Sequence, residues 1–128
     1  MMKYLLDTHT LLWYLENAEQ PPISVKNIIL NINAKIYVSI VSFWEIAIKL
    51  TLRKLNLEIE LSEIFRVTDE NSFIILPVEK KHIESLINLP FYHRDPFDRL
   101  LISTAMSENA TMLTKDENIQ KYDLQIIW

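Results

Sequence analysis

Short apolar segments alternate with longer helical patterns along this chain, and that alternation constrains the fold more than any other feature. Because the strand-like segments are apolar throughout and are separated by helices, they predict a parallel sheet covered on both faces. No composition shift, linker or repeat divides residues 1–128, so we expect one three-layer α/β/α domain whose sheet has about five, mainly parallel, strands. The predicted strands are residues 3–6, 35–41, 73–76, 111–114 and 124–128.

Helical periodicity predicts which side chains face the core. Helices are expected at residues 8–17, from an N-cap at Ser24 onward, at 42–55, at 61–70, from Val78 until Pro90, and from Pro96 onward. The expected inward faces are Val25, Ile28, Ile29 and Ile32 in the second helix, Trp44, Ala47, Ile48 and Leu52 in the third, and Ile83, Leu86 and Ile87 in the fifth. Ser42 and Glu45 have capping-box spacing, which predicts that the third helix begins there.

The chain contains no glycine and no cysteine. Phosphate-binding fingerprints of dinucleotide dehydrogenases and P-loop NTPases need glycine, so both classes are excluded. Disulfides, thiolate nucleophiles and cysteine-based zinc sites are excluded as well, which fits a reducing, cytoplasmic location. The apolar start is interrupted by Asp7 and no apolar run reaches membrane-spanning length, so neither a secretory signal nor a membrane partner is expected. A formal charge of −4 would disfavour a nucleic-acid partner unless some of the acids bind cations.

Four acidic residues are predicted to lie at one edge of the sheet. Asp7 ends the first strand, and Asp116 follows the fourth strand by two residues. Glu45 and Asp98 are expected in the first turns of the helices that follow the second strand and precede the fourth. Helices between parallel strands run antiparallel to them, so helix N-termini and strand C-termini share the edge where such folds bind ligands.

Each of these acids also has a purely structural interpretation. Asp7 could N-cap the next helix, and Asp116 could cap a turn. Glu45 could complete the capping box with Ser42 or pair with Lys49 one helical turn later. Asp98 could simply stabilise its helix, because its negative charge lies near the positive end of the helix dipole.

The segment around Asp98 is a well-formed helix start. Asp95 is expected to be the N-cap, with Pro96 at the first helical position. His9 and His93 are interpreted as hydrogen-bonded or surface histidines, because their spacing does not indicate a zinc site.

Taken together, the four acids favour a metal site. Carboxylates that converge on one edge repel each other, and a hard divalent cation such as Mg²⁺ or Mn²⁺ removes that repulsion. Two such ions about 4 Å apart can support phosphodiester cleavage. Basic side chains flank the acids and are candidates for phosphate contacts, although each could be an ordinary solvated charge; they are Lys49, Arg94, Arg99 and Lys115.

Four segments of the chain resemble PIN-domain nucleases of the VapC toxin type. They are YLLDTHTLLWYL, SFWEIAIK, LPFYHRDPFDRLLISTA and LTKD, in this order, and the likeness extends to the C-terminal IIW. The resemblance implies a PIN-like α/β/α sandwich and an acidic metal-binding quartet of Asp7, Glu45, Asp98 and Asp116. It also implies Mg²⁺- or Mn²⁺-dependent endonucleolytic cleavage of RNA, a cognate antitoxin and a second copy of this chain as partners. Thr8 and Thr114 would hold a water or phosphate.

The resemblance has two departures and leaves two rival interpretations. Relatives commonly carry glycine where this chain has Arg53 and Asn109, and Asn109 is expected to adopt the left-handed conformation at a helix end. A phosphatase would need an aspartate where His9 stands, and a receiver domain would need an isolated aspartate after the third strand. The other rival is a non-catalytic interaction module with the same fold.

Overall fold

A computed structural model describes residues 2–16, 19–57 and 59–128. Its elements follow the predicted order of strands and helices. In chain order they are β1 (Lys3–Leu6), α1 (Thr8–Leu15), α2 (Ile23–Leu30), β2 (Lys35–Ser39), α3 (Ile40–Thr51), α4 (Leu61–Glu70), β3 (Ile74–Leu76), α5 (Lys80–Ile87), α6 (Pro96–Glu108), β4 (Thr111–Leu113), a 3-10 helix (Ile119–Lys121) and β5 (Ile126–Ile127). The end of the predicted first helix, Asn17, lies outside the described residues.

The strands form one parallel sheet in the order β3-β2-β1-β4-β5, which confirms the predicted five-stranded parallel arrangement. β1 is the central strand, and its Leu5 lies beside Tyr37 of β2 on one side and Met112 of β4 on the other. Both neighbours of β1 therefore end close to Asp7, and this central position decides where the functional side chains meet.

Two hydrophobic clusters cover the two faces of the sheet. Successive residues of a strand point to opposite faces, so Leu6 joins one cluster and Leu5 the other. The Leu6 cluster includes buried residues of α1 to α4, namely Leu11, Val25, Ile29, Phe43, Ile46 and Ile64. The Leu5 cluster includes Leu101, Ile102 and Ala105 of α6, and α5 packs against α6. This is the predicted three-layer sandwich.

The second strand is shorter than predicted, and the third helix begins earlier. The Ser39 hydroxyl accepts a hydrogen bond from the Val41 amide, which makes Ser39 the N-cap of α3. The predicted capping box between Ser42 and Glu45 is therefore wrong, and Glu45 lies in the second turn of the helix. Both residues are buried, because their polar side chains have partners in the interior rather than at the helix end.

The predicted inward face of α3 is also wrong for two of its four members. Trp44 is 59% exposed and Leu52 is 56% exposed. The buried face instead carries Ser42, Glu45 and Ile46. Hydrophobic periodicity fails here because two polar residues occupy the face that packs inward.

The predicted inward face of α2 is wrong at its C-terminal end. In α2, Val25 and Ile29 are buried as expected, but the helix ends at Leu30 and Ile32 is 93% exposed. The N-cap position of α2 is Pro22, so Ser24 does not cap it.

In α5, His82 is the buried residue, whereas Ile83 and Ile87 are exposed. Hydrogen bonds to Glu79 and Glu108 hold the His82 ring inside. The face of α5 that packs inward therefore contains His82 in place of the predicted Ile83. Of the predicted face, only Leu86 packs against the core, where it is half-buried.

The two residues at which the resemblance led us to expect glycine both adopt left-handed backbone conformations. Asn109 has φ 57° and ends α6, as expected, and Arg53 has φ 55°. In the described part of the chain, no helix is long and apolar enough to cross a membrane.

Arg53→Gly should raise the free energy of unfolding by about 0.5–1 kcal/mol. The left-handed conformation costs about 1–2 kcal/mol for a residue with a Cβ atom, and glycine's extra flexibility in the unfolded chain offsets part of that relief. Urea unfolding measures the change. Arg53→Ala is the control, since it keeps the Cβ atom, and a Gly variant no more stable than the Ala variant would contradict the assignment.

Candidate metal centre

Asp7 directly follows the central strand and is almost fully buried. Its Oδ1 accepts a hydrogen bond from the Thr10 amide at 2.8 Å, so it caps α1 as the structural interpretation expected. Its Oδ2 accepts a hydrogen bond from the Thr114 hydroxyl. Burial raises the pKa of Asp7, and these hydrogen bonds offset only part of that rise. The fold therefore holds a carboxylate where its negative charge is unfavourable without a cation.

Glu45 approaches the same region from α3. Its Oε1 accepts the Thr8 hydroxyl proton at 2.7 Å, and its Oε2 lies 2.9 Å from the Lys49 ammonium. The predicted Glu45–Lys49 pair is thus present. The Thr8 hydroxyl also lies 3.0 Å from the Ser42 hydroxyl. Thr8, the residue after Asp7, therefore connects the start of α1 to α3.

Asp98 lies in the first turn of α6, as predicted. Its amide donates to Asp95 Oδ1 at 3.0 Å, which confirms Asp95 as the N-cap. Its Oδ2 lies 3.1 Å from His93 Nε2. Burial raises the pKa of Asp98 to about 6, with further contributions from the negative charges of Asp95 and Asp116, while His93 opposes the rise.

Asp116 lies in the turn after β4. Its Oδ1 accepts from the amides of Asn118 and Ile119 at 2.8 and 3.1 Å, so the turn-capping interpretation is also correct. Its amide donates to the Thr114 hydroxyl at 3.0 Å. Thr114 thus joins Asp116 to Asp7, in the same way that Thr8 joins α1 to Glu45.

A cleft of about 230 Å³ opens beside Asp7 and Asp116. Asp7 and Asp116 form its acidic side, and its other lining residues are His9, Trp13 and Lys115. The Lys115 ammonium lies 5.3 Å from the centre of the Trp13 ring, and the His9 ring lies 5.7 Å from it. One side of the cleft is therefore anionic, and the other offers aromatic faces and a cation.

The four basic candidates differ in their surroundings. Lys115 lines the cleft, and Arg94 is exposed near Asp98 in the sequence. Lys49 is paired with Glu45. Arg99 is only 5% exposed, and its guanidinium donates to the carbonyls of Leu89 and Pro90 and to the Tyr122 hydroxyl. Arg99 therefore anchors the loop before α6, and its buried guanidinium is engaged there rather than exposed for a phosphate contact.

Sequence reasoning missed several residues that build this centre. The spacing between His93 and Asp98 could have suggested their contact. Trp13 follows His9 by one turn of α1, which is also a local signal. By contrast, Ser42 and Tyr122 reach the centre only through the tertiary fold.

The four acids offer the hard oxygen ligands that Mg²⁺ and Mn²⁺ prefer. Among the described residues, however, no three of these carboxylates bring their oxygens within 4.8 Å of one another. Mg²⁺ keeps several water ligands and contacts few carboxylates directly, so it does not need three of these carboxylates in direct contact. The raised pKa values of Asp7 and Asp98 fit a site that a cation completes.

A different cluster, Glu79, His82 and Glu108, does have ligand atoms within 4.8 Å of one another. His82 Nδ1 accepts from the Glu79 amide at 3.1 Å, so the proton is on Nε2, which donates to Glu108 at 2.9 Å. A protonated nitrogen cannot bind a metal. This cluster is therefore explained as the capping box of α5 and its contact with α6.

Asp98→Asn should stabilise the metal-free protein near neutral pH. The folded pKa of about 6 lies above the ordinary 3.8, so the contribution of Asp98 to wild-type stability is complete below about pH 4 and is lost as the pH rises from there through about 6. Asparagine cannot ionise, so the advantage of the variant should shrink as the pH falls. Urea unfolding in EDTA at several pH values measures this, and an advantage independent of pH would contradict it.

Comparisons with known proteins agree with the fold that the sequence predicts. The PIN domain family model matches residues 4–124, whereas no curated protein matches the sequence. A chain of VapBC2 from Rickettsia felis, solved with a promoter DNA fragment, has a TM-score of 0.75 at 17% identity and covers 99% of both chains. A chain of VapBC-1 from nontypeable Haemophilus influenzae has a TM-score of 0.72 at 20% identity, covering 98% of this chain and 97% of that one. These likenesses establish the fold, and the family match shows that the chain belongs to the PIN domain family.

Proposed function

We propose that this PIN domain is a VapC-type toxin of the cytoplasm, an endoribonuclease that hydrolyses RNA with Mg²⁺ or Mn²⁺. The observation that carries the proposal is the approach of four carboxylates, two of them with raised pKa values, to one edge of a PIN-fold sheet. Burying Asp7 at that edge lowers the stability of the protein unless a cation compensates, whereas Glu45 is already paired with Lys49. A metal-dependent reaction explains why the fold keeps Asp7 there.

Asp7, Asp98 and Asp116 would hold the cation, with Glu45 beside them. When bound, the ion supplies Lewis acidity, which activates a water and stabilises negative charge on the phosphodiester. The chain's own residues prepare that site. Thr114 orients Asp7, the Thr8 hydroxyl and the Lys49 ammonium hold Glu45, and the Asp95 cap fixes the helix start that carries Asp98.

The non-acidic side of the cleft supports RNA as the substrate. Trp13 and His9 offer aromatic faces of the kind on which unstacked bases pack, and Lys115 offers a cation for a phosphate. Arg94 is a second exposed cation near Asp98. The net charge of −4 gives little support to broad, charge-driven binding, so we propose a narrowly selected, locally single-stranded substrate.

The proposed partners are a cognate antitoxin and a second copy of the chain. The solved relatives named above are VapBC assemblies, which supports an antitoxin. An arginine inserted by that antitoxin would match the acidic side of the cleft. Support for a homodimer comes from exposed apolar side chains on α3. Ile40 and Trp44 lie one helical turn apart, and the Trp44 ring packs edge-on against Phe97 at 5.1 Å.

We expect purified protein to cleave RNA with Mn²⁺ and not with EDTA, and Asp98→Asn to reduce cleavage by about 100-fold or more, since it removes a metal ligand. The assay uses end-labelled single-stranded and transfer RNAs. Asp95→Asn is the matched control: asparagine is an equally good N-cap, so cleavage should persist. Metal-independent products, or an active Asp98→Asn, would contradict the proposal. Metal binding without cleavage of any RNA would favour the non-catalytic module.

Mn²⁺ should also stabilise the folded protein. Binding to the folded state alone adds about 2.7 kcal/mol at one hundred times the dissociation constant. Differential scanning calorimetry across a Mn²⁺ series measures the rise in melting temperature. Asp7→Asn should reduce that rise while keeping or increasing the metal-free melting temperature, because it removes a buried charge. A wild-type melting temperature unaffected by millimolar Mn²⁺ would contradict the site.

A further inference from the structure

A chain of hydrogen bonds runs from Arg99 through Tyr122 and His93 to Asp98. The Arg99 guanidinium lies 3.0 Å from the Tyr122 hydroxyl, and the His93 amide lies 3.3 Å from the same oxygen. His93 Nδ1 is 2.8 Å from this hydroxyl, and His93 Nε2 is 3.1 Å from Asp98 Oδ2. The four residues come from the loop before α6, from α6 itself and from the segment after the 3-10 helix.

Counting donors and acceptors shows which group donates in each of these hydrogen bonds. A tyrosine hydroxyl has one proton and two lone pairs. The Arg99 guanidinium and the His93 amide can only donate, so together they occupy both lone pairs of the Tyr122 oxygen. The hydroxyl proton must then point to His93 Nδ1, which accepts it. His93 consequently carries its ring proton on Nε2 and donates it to Asp98.

We propose that His93 is a positioning residue for Asp98, held as the Nε2–H tautomer by a Tyr122 hydroxyl that Arg99 orients. This inference rests on the proposed function, because it concerns Asp98 as a metal ligand. The contact engages Oδ2 of Asp98 and leaves Oδ1 for the cation. Hydrogen-bonded partners of ligating carboxylates typically contribute about 10- to 100-fold to metal affinity or activity.

The chemistry of the donor supports this role. A lysine or arginine at the position of His93 would neutralise Asp98 and weaken its attraction for a cation. A neutral imidazole fixes the carboxylate without cancelling its charge. The His93 ring is fixed in position, because the Tyr122 hydroxyl is hydrogen-bonded to its Nδ1 and the Tyr122 ring packs edge-on against it at 5.4 Å.

The anchoring of the loop supports the same conclusion. Arg99 follows Asp98 in α6, and its guanidinium donates to the carbonyls of Leu89 and Pro90, at the start of the loop that carries His93. The exposed Phe91 ring covers that guanidinium at 3.7 Å. One buried cation thus fixes both the loop and the Tyr122 hydroxyl, which places His93 against Asp98.

Tyr122→Phe is the central test, because it removes the hydroxyl and keeps the ring. Arg99 retains its bond to the Pro90 carbonyl at 2.7 Å, so the variant should fold. We expect the dissociation constant for Mn²⁺, measured by calorimetric titration of the folded protein, to rise by about tenfold. Tyr92→Phe is the matched control, since Tyr92 packs against Tyr122 outside the chain of hydrogen bonds at 5.0 Å, and its Mn²⁺ affinity should equal that of wild type.

A second pair of variants separates positioning from simple packing. His93→Ala should weaken Mn²⁺ binding, whereas His93→Gln retains an amide donor for Asp98 and should recover part of the affinity. A purely structural role would lower the melting temperature of these variants and leave the Mn²⁺ affinity of the folded protein unchanged, and that result would overturn the proposal.

The tautomer itself can be observed without metal or RNA. A two-bond ¹H–¹⁵N spectrum of the metal-free protein, assigned with His93→Gln, should show His93 protonated on Nε2, and Tyr122→Phe should lose this preference. Protonation on Nδ1 in wild type would overturn the proposal. Because these measurements need no substrate, a protein that binds Mn²⁺ as expected but cleaves no RNA would contradict the proposed nuclease and leave the positioning role supported. Wild type that binds no Mn²⁺ would contradict both.

Discussion

The burial of the Asp7 carboxylate at the end of the central strand is the constraint on which the rest of the centre depends. Two hydrogen bonds, from the Thr10 amide and the Thr114 hydroxyl, hold both of its oxygens but do not offset the loss of water. Thr114 belongs to the segment after β4, so the same contact fixes the turn that carries Asp116. The central place of β1 in the sheet makes this possible, because its neighbours end beside it.

The structure uses hydroxyl and imidazole groups, and not only cations, to organise its acids. Thr8 donates to Glu45, Thr114 donates to Asp7, and His93 contacts Asp98. The threonine hydroxyls fix their carboxylates without adding a positive charge, and we propose the same for the His93 imidazole. Lys49 is the exception, since it pairs with Glu45 at the partly exposed side of α3. A centre built in this way would keep its affinity for the divalent cation that we propose.

The order of strands and helices could be predicted from sequence because it depends on local apolar patterns, and the end of β1 at Asp7 followed from the same pattern. The caps at Asp7, Asp95 and Asn109 were also local and correct. The inward face of α3 could not be predicted, because Ser42 and Glu45 are buried through contacts with Thr8, a residue 34 positions from Ser42. Likewise, the partner of His93 is Tyr122, 29 positions away. The four acids could be proposed from the sequence, but the groups that hold them depend on the tertiary fold.

Anomalous diffraction from crystals soaked in Mn²⁺ tests the central claim most directly, because it locates the ion independently of any reaction. We expect an anomalous peak between the carboxylates of Asp7, Asp98 and Asp116, at the acidic side of the cleft, with Asp98 contacting His93 through Oδ2. A peak among Glu79, His82 and Glu108 instead, or no peak in the cleft, would contradict the assignment of the acidic edge as a metal centre.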